Sequence, residues 1–181
     1  ITSAVDAYVL EHEPDLSPLR RGNLAARLRS VILFDQSAKL GALPLGTGNK
    51  SERLLGYYTW HADDSPPINP LGDLFKMQVW DLATHLRVPD VIIDKPASAD
   101  LVRGVHDEDE LGISYRHADP ILHWLLSGYT VDELKSDGFP ENDVDCVWGR
   151  LSATHWKREL PTVAMLSSTA IGEFYLRPVD Y

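Results

Sequence analysis

The residues whose types and spacing could do chemistry gather around one stretch, Leu43-Pro44-Leu45-Gly46-Thr47-Gly48-Asn49-Lys50-Ser51-Glu52, where an apolar run opens into a Gly-Thr-Gly turn and a helix start. Glycines let the backbone turn sharply or approach a ligand, and Thr47 offers a hydroxyl. A helix beginning here directs unpaired N–H groups and a positive dipole end at whatever lies above the loop. That chemistry suits an anion. The same residues fit a second description: Asn49 with Glu52 three positions on is a capping box, in which the carboxylate serves only backbone donors. Two cations join the list. Lys76 falls in the first turn of a later helix, where it opposes the dipole and is easier to understand with an anion between it and the helix end, although a solvated lysine also fits. Arg27 borders an apolar helix stripe, where a guanidinium either snorkels to water or meets an anion. The run Asp107-Glu108-Asp109-Glu110 is a solvated acidic face or, beside a basic pocket, a holder of magnesium.

These residues need elements to place them. A short helix is expected up to about Glu13 and a connector from Pro14 to Leu19. Leu24, Leu28, Val31, Phe34 and Ala38 then recur at helical spacing and predict one buried face. Leu43 to Leu45 read as a strand, and the Glu52 helix is expected to end near Gly56. An irregular loop follows from His61 to Pro67. Asp73 reads as the cap of a helix through Leu86, with Phe75, Val79, Leu82, Ala83 and Leu86 as its core stripe. The segment from Ala97 to His106 has neither period and is a candidate mobile lid. Helices are expected over Ala118–Leu126, Val131–Ser136 and Asn142–Trp156, with Pro120 and Pro140 near element starts. Residues 160–181 read as a docked tail and a subunit contact.

A chain of 181 residues with 44% hydrophobic content can bury one sizeable core. Its 17 basic against 27 acidic residues give a formal net charge of −10, which argues against nonspecific binding to nucleic acid or an anionic membrane. The balance reverses locally. From Arg20 to Arg53 the basic residues outnumber the acids Asp35 and Glu52, so a small anion is a better partner than a polymer. The lone Cys146 excludes an internal disulfide and a cysteine-based zinc site and reads as a packed thiol in a reducing compartment. No membrane-spanning apolar run and no signal-like start is seen, which reads as cytoplasmic.

Gly46-Thr47-Gly48-Asn49-Lys50-Ser51-Glu52, Gly56-Tyr57-Tyr58-Thr59, Asn69-Pro70-Leu71-Gly72-Asp73-Leu74-Phe75-Lys76, Lys95-Pro96-Ala97-Ser98-Ala99-Asp100-Leu101 and Asp107-Glu108-Asp109-Glu110-Leu111-Gly112 form an ordered series. With Gly22-Asn23-Leu24-Ala25-Ala26-Arg27 upstream and Lys157-Arg158-Glu159-Leu160-Pro161 downstream, it resembles NAD synthetase over nearly the whole chain. The resemblance implies an α/β fold, a parallel sheet flanked by helices of the adenine-nucleotide α-hydrolase-like, Rossmann-like kind, here its C-terminal portion as a single domain. It implies ATP-dependent amidation of deamido-NAD through an adenylated carboxylate, with ammonia as nitrogen donor, Mg²⁺ as cofactor and a homodimer as the assembly. Carried over by motif, Thr47, Lys76 and Ser98 would contact ATP, with Lys76 the catalytic cation. Glu52 would be a magnesium ligand, and Arg27, Asp63 and Lys157 would contact deamido-NAD. A related ATP pyrophosphatase with another acceptor, or a noncatalytic nucleotide-binding relative, are the alternatives.

The sequence also departs from the family pattern. Trp60, Ala62 and Pro67 stand where the family often has a lysine, a glycine and a second aspartate. His106 replaces a threonine, and Trp156 stands where some members have histidine. The family's Ser-Gly-Gly-x-Asp-Ser loop is not found between Ile1 and Tyr181, and the expectation is that a strand and such a loop precede Ile1 in the natural protein.

Overall fold

The computed structural model describes residues 1–99, 101, 104–159, 164 and 166. Residues 100, 102 and 103 of the expected lid, and the expected tail over 160–181 apart from Ala164 and Leu166, lie outside the described residues.

The core sits in the second half of the chain. Helix α7 (Tyr115–Leu126) buries Tyr115, Ala118, Ile121 and Leu122, one stripe at helical spacing. Against it pack α8 (Val131–Ser136) through Leu134 and α9 (Glu141–Ala153) through Val144 and Val147. Each such fully buried apolar side chain contributes about 1.5–3 kcal/mol relative to exposure. Local chemistry starts these helices: Ser114 accepts from the His117 N–H, and Thr130 with Glu133 forms a complete capping box. The α7 helix begins three residues before its expected start, so Pro120 lies inside it. The expected helix to Trp156 stops at Ala153, and a 3₁₀ turn follows over His155–Arg158. Cys146 packs against this core, its thiol donating to the Leu111 carbonyl.

The first half departs more from expectation. Helix α1 (Thr2–His12) is followed by α2 (Pro18–Leu40), which starts at a Ser17 cap and so takes in part of the expected connector. Its predicted buried face is covered only in part. In its first half Gly22 and Ala26 are buried and Leu24 and Leu28 half-buried, while further on Val31 is 65% and Phe34 40% exposed. The spacing marks an apolar face, but nothing among the described residues lies against its C-terminal half. The stripe of α4 (Lys76–His85) is likewise covered only at its start: Phe75, its N-cap, is buried in the core, while Leu82 is 36% exposed and Leu86, just past its end, 64%.

The expected strand at Leu43–Leu45 is reduced to a single parallel bridge between Leu45 and Ile68, with the Gly46 N–H donating to the Ile68 carbonyl at 2.7 Å. No strand stands among the described residues, so the expected parallel sheet is represented by that bridge alone. Gly46 suits this close approach: a Cβ would sit 3.3 Å from both the Ile68 carbonyl oxygen and the Asn69 Cβ.

After the bridge come α3 (Lys50–Leu54), α5 (Asp90–Ile93) and α6 (Asp107–Leu111). One buried group, Asp119 of α7, joins α3 to α4. Its Oδ1 accepts from the Ser51 hydroxyl at 2.5 Å and its Oδ2 from the Met77 N–H at 2.9 Å, while Ser51 Oγ accepts from the Lys76 N–H at 2.8 Å. This is why Asp73 does not cap α4. Ser51, Asp119 and the Gln78 side chain already satisfy the first-turn amides, Phe75 occupies the cap position, and Asp73 instead pairs with Lys50 at 2.6 Å.

Replacing Asp119 with Ala would strand a buried hydroxyl and a buried amide, and the expected loss is about 2–4 kcal/mol of unfolding free energy. Urea denaturation measures it. A loss under about 0.5 kcal/mol would show that the junction holds without this carboxylate.

Candidate active site

The loop after the bridge and the start of α3 form one wall of a cavity of about 390 Å³. Thr47, Gly48, Asn49, Glu52 and Arg53 come from that wall, Ala26 and Arg29 from α2, Lys76 and Trp80 from α4. Tyr57, Tyr58, Asp63 and Asp64 close a second side, and Lys95 through Ala99 a third.

At its floor the capping box forms in full: Asn49 Oδ1 accepts from the Glu52 N–H at 2.9 Å, and Glu52 Oε2 from the Asn49 N–H at 3.0 Å. The second oxygen, Oε1, pairs with Lys76 Nζ at 3.1 Å, both side chains being largely covered. The two descriptions of Glu52 left open by the sequence are therefore compatible: one oxygen caps the helix and the other faces the lysine. The Lys76 ammonium lies 5.4 Å from the Tyr115 ring centroid and 5.8 Å from that of Trp80. The anion at the start of α4 is the chain's own Asp119. Burial pushes the Asp119 carboxyl above its ordinary value, against the Ser51 hydroxyl, the Met77 N–H and the Lys76 charge, which hold it down.

Thr47, Glu52, Asp63, Lys76 and Ser98 all line the cavity. Arg27 and Lys157 do not. The Arg27 Nε donates to the Trp60 carbonyl at 3.2 Å, and Arg29, two residues on, is the α2 cation that reaches the wall. Lys157 donates to the carbonyls of Gly56 at 2.7 Å and Tyr58 at 2.9 Å, with its ammonium 5.0 Å from the Tyr58 ring centroid. Burial lowers its pKa, opposed by Asp64 and Asp63. Asp63 also has a structural duty, since its Oδ2 accepts from the Thr59 N–H at 2.7 Å. Gly56, whose carbonyl Lys157 binds, is left-handed at φ 66, and a Cβ there would fall 2.3 Å from Thr154.

The acidic run is solvated only in part, at Asp109 and Glu110. Asp107 is buried, Glu108 accepts from the Tyr115 N–H, and Glu110 accepts from the Tyr57 hydroxyl at 2.5 Å. Among the described residues no group of three His, Cys, Asp or Glu side chains is placed to hold a metal ion. Two departures noted in the sequence meet in space: the rings of Trp60 and Trp156 stand edge to face with centroids 5.2 Å apart.

Sequence reasoning missed Asp119, Tyr115 and Arg29, and took Asp107 only as one member of the acidic run. Asp119 was detectable, because it lies four residues after Tyr115 and three before Leu122, inside an apolar stripe where a carboxylate needs a partner.

A family model described as NAD synthase matches residues 1–161. This chain belongs to the NAD synthase family. Among curated relatives, an NH(3)-dependent NAD(+) synthetase of Trichlorobacter lovleyi is 44% identical over 94% of this chain, and one of Fusobacterium nucleatum 42% identical over 92%. The chain spans 63% and 64% of their lengths, under two thirds. Among solved structures, an NMN synthetase from Francisella tularensis matches with a TM-score of 0.76 at 30% identity, covering 90% of this chain and 63% of that one. An NH3-dependent NAD synthetase from Campylobacter jejuni matches with a TM-score of 0.73 at 30% identity, covering 91% of this chain and 63% of its own. As in the sequence reading, no described helix of this NAD synthase family member is long and apolar enough to cross a membrane.

Lys157 offers a test of duty. If its role is to bind two carbonyls, Lys157→Met loses about 1–2 kcal/mol of stability with no ligand present. Unchanged thermal unfolding would leave Lys157 to a ligand alone.

Proposed function

We propose that this chain carries the reaction its family is named for: ATP-dependent amidation of deamido-NAD to NAD with ammonia as nitrogen donor. The observation that supports it best is the placement of Lys76, a largely covered cation held on a cavity wall beside a helix-start loop with Thr47 and Glu52. In the first step a nicotinate carboxylate oxygen attacks the α-phosphorus of ATP. The bond to the β-phosphate breaks, and pyrophosphate leaves with the electron pair. In the second, ammonia attacks the activated carbonyl carbon, the bond to the AMP oxygen breaks, AMP leaves, and the nitrogen gives up its extra proton to solvent. Neither step needs a nucleophilic side chain. The chain's task is to orient two anions and to meet charge that grows on phosphate.

Lys76 is suited to that task because its backbone is fixed by Ser51 and its ammonium is screened by rings, so it need not be reorganised when charge appears. Thr47 and Ser98 would contact ATP from facing walls. Asp63 lies at the acceptor side, with Arg27 and Lys157 as supports that reach ligand only by leaving their carbonyl partners. Glu52 supplies one carboxylate at the phosphate side, which fits magnesium's habit of binding through one or two carboxylates plus substrate phosphates. When bound, the ion would neutralise phosphate charge. The Leu45–Ile68 bridge would belong to the parallel sheet of an adenine-nucleotide α-hydrolase-like fold. A homodimer in the cytoplasm completes the reading.

The test is NAD formation by the natural protein from deamido-NAD, ATP, Mg²⁺ and ammonium, with AMP and pyrophosphate counted. All three products should appear in equal amounts. ATP binding without turnover, or pyrophosphate release only with another acceptor, would refute it. Lys76→Ala should lower turnover by about 10²–10³ with little change in unfolding midpoint. Near-wild-type turnover would remove Lys76 from the chemistry.

A further inference from the structure

Asp107 is given no role by the reaction above, yet its side chain is placed at a cost. It is the first residue of α6 and only 4% exposed. One oxygen, Oδ2, accepts from the Tyr115 hydroxyl at 3.2 Å, and the other, Oδ1, is buried without a hydrogen-bond partner among the described residues. Its own N–H donates to the Ala97 carbonyl at 2.9 Å, which ties the start of α6 to the cavity wall that carries Ser98. A half-satisfied buried carboxylate is a poor device for stability. Burial raises the pKa of this one, against the Lys76 charge and the hydroxyls of Tyr115 and Tyr57, which favour the ionised form.

We infer that Asp107 is a positioning residue for Lys76: it anchors the Tyr115 hydroxyl, so that the ring facing the ammonium keeps its pose, and it ties the Ala97 wall to the same point. Tyr115 is fully buried and stands edge to face with Trp80 at 6.0 Å between centroids. Those two rings and Glu52 bound the space in which the Lys76 ammonium moves. Asp107 does not touch the ammonium in this arrangement. It acts through the phenol.

The inference rests on Lys76 meeting phosphate, and its test combines stability with kinetics in the natural protein. Asp107→Asn keeps the shape and removes the charge. The expected result is an unfolding midpoint equal to or above that of the wild type, with kcat lower by about tenfold and KM for ATP within about twofold. Tyr115→Phe should lower kcat in the same way, and the double variant should be no slower than the slower single one, since both act on one connection. A fall in unfolding midpoint for Asp107→Asn with kcat per folded protein unchanged would overturn the proposal, as would single effects that multiply in the double variant. Wild-type protein inactive toward deamido-NAD would count against the reaction, and the melting comparison would still decide the role of Asp107.

Discussion

The site depends on one buried carboxylate. Asp119 projects from the best-packed helix of the molecule and takes a hydroxyl from α3 and an amide from α4, while that hydroxyl takes a second α4 amide. A charge in such a place is costly unless every lone pair is used, and a partly satisfied network would be worse than an apolar one. Because the network is made, the starts of two helices are set at a fixed distance. Glu52 and Lys76, in the first turn of each, meet as a consequence. The Lys76–Glu52 pair is thus built from the core outward and not by attraction between surface charges, which alone would hold two flexible side chains weakly.

This order of construction explains what could be read from the sequence. The Gly-Thr-Gly loop, the Asn49–Glu52 box and the starts of α8 and α9 rest on local rules, and local rules were enough for them. The cavity-lining places of Thr47, Glu52, Asp63, Lys76 and Ser98 followed from motifs in series. What failed was longer in range. Asp73 has the right chemistry for a cap, but Ser51 and Asp119, 22 and 46 positions away in sequence, occupied the amides first. Apolar periodicity named the faces of α2 and α4 without saying what covers them. Arg27 and Arg29 are both basic residues of one helix, and only the path of the Trp60 loop determines which of the two meets a carbonyl and which lines the cavity.

The charge distribution has the same logic. The chain is acidic overall, yet the cavity draws Arg29, Arg53, Lys76 and Lys95 to its walls beside Glu52, Asp63, Asp64 and Asp107. Such a mixed lining does not attract anions indiscriminately. It suits a ligand with a defined pattern of charge, and its acids Glu52, Asp63, Asp64 and Asp107 each also accept a backbone or hydroxyl donor of the chain. Around Lys157 the lining changes character: Tyr58 and Trp156 lie over its ammonium, Trp60 stands edge to face with Trp156, and the ammonium is already committed to carbonyls.

The central claim is that the Asp119 junction presents Lys76 to phosphate. The direct measurement is a crystal structure of the natural protein with a non-hydrolysable ATP analogue and Mg²⁺. The account predicts Lys76 Nζ at about 3 Å from a phosphate oxygen, with the Ser51–Asp119 and Met77–Asp119 bonds unchanged. A triphosphate bound away from α4, with Lys76 still paired to Glu52 alone, would contradict it.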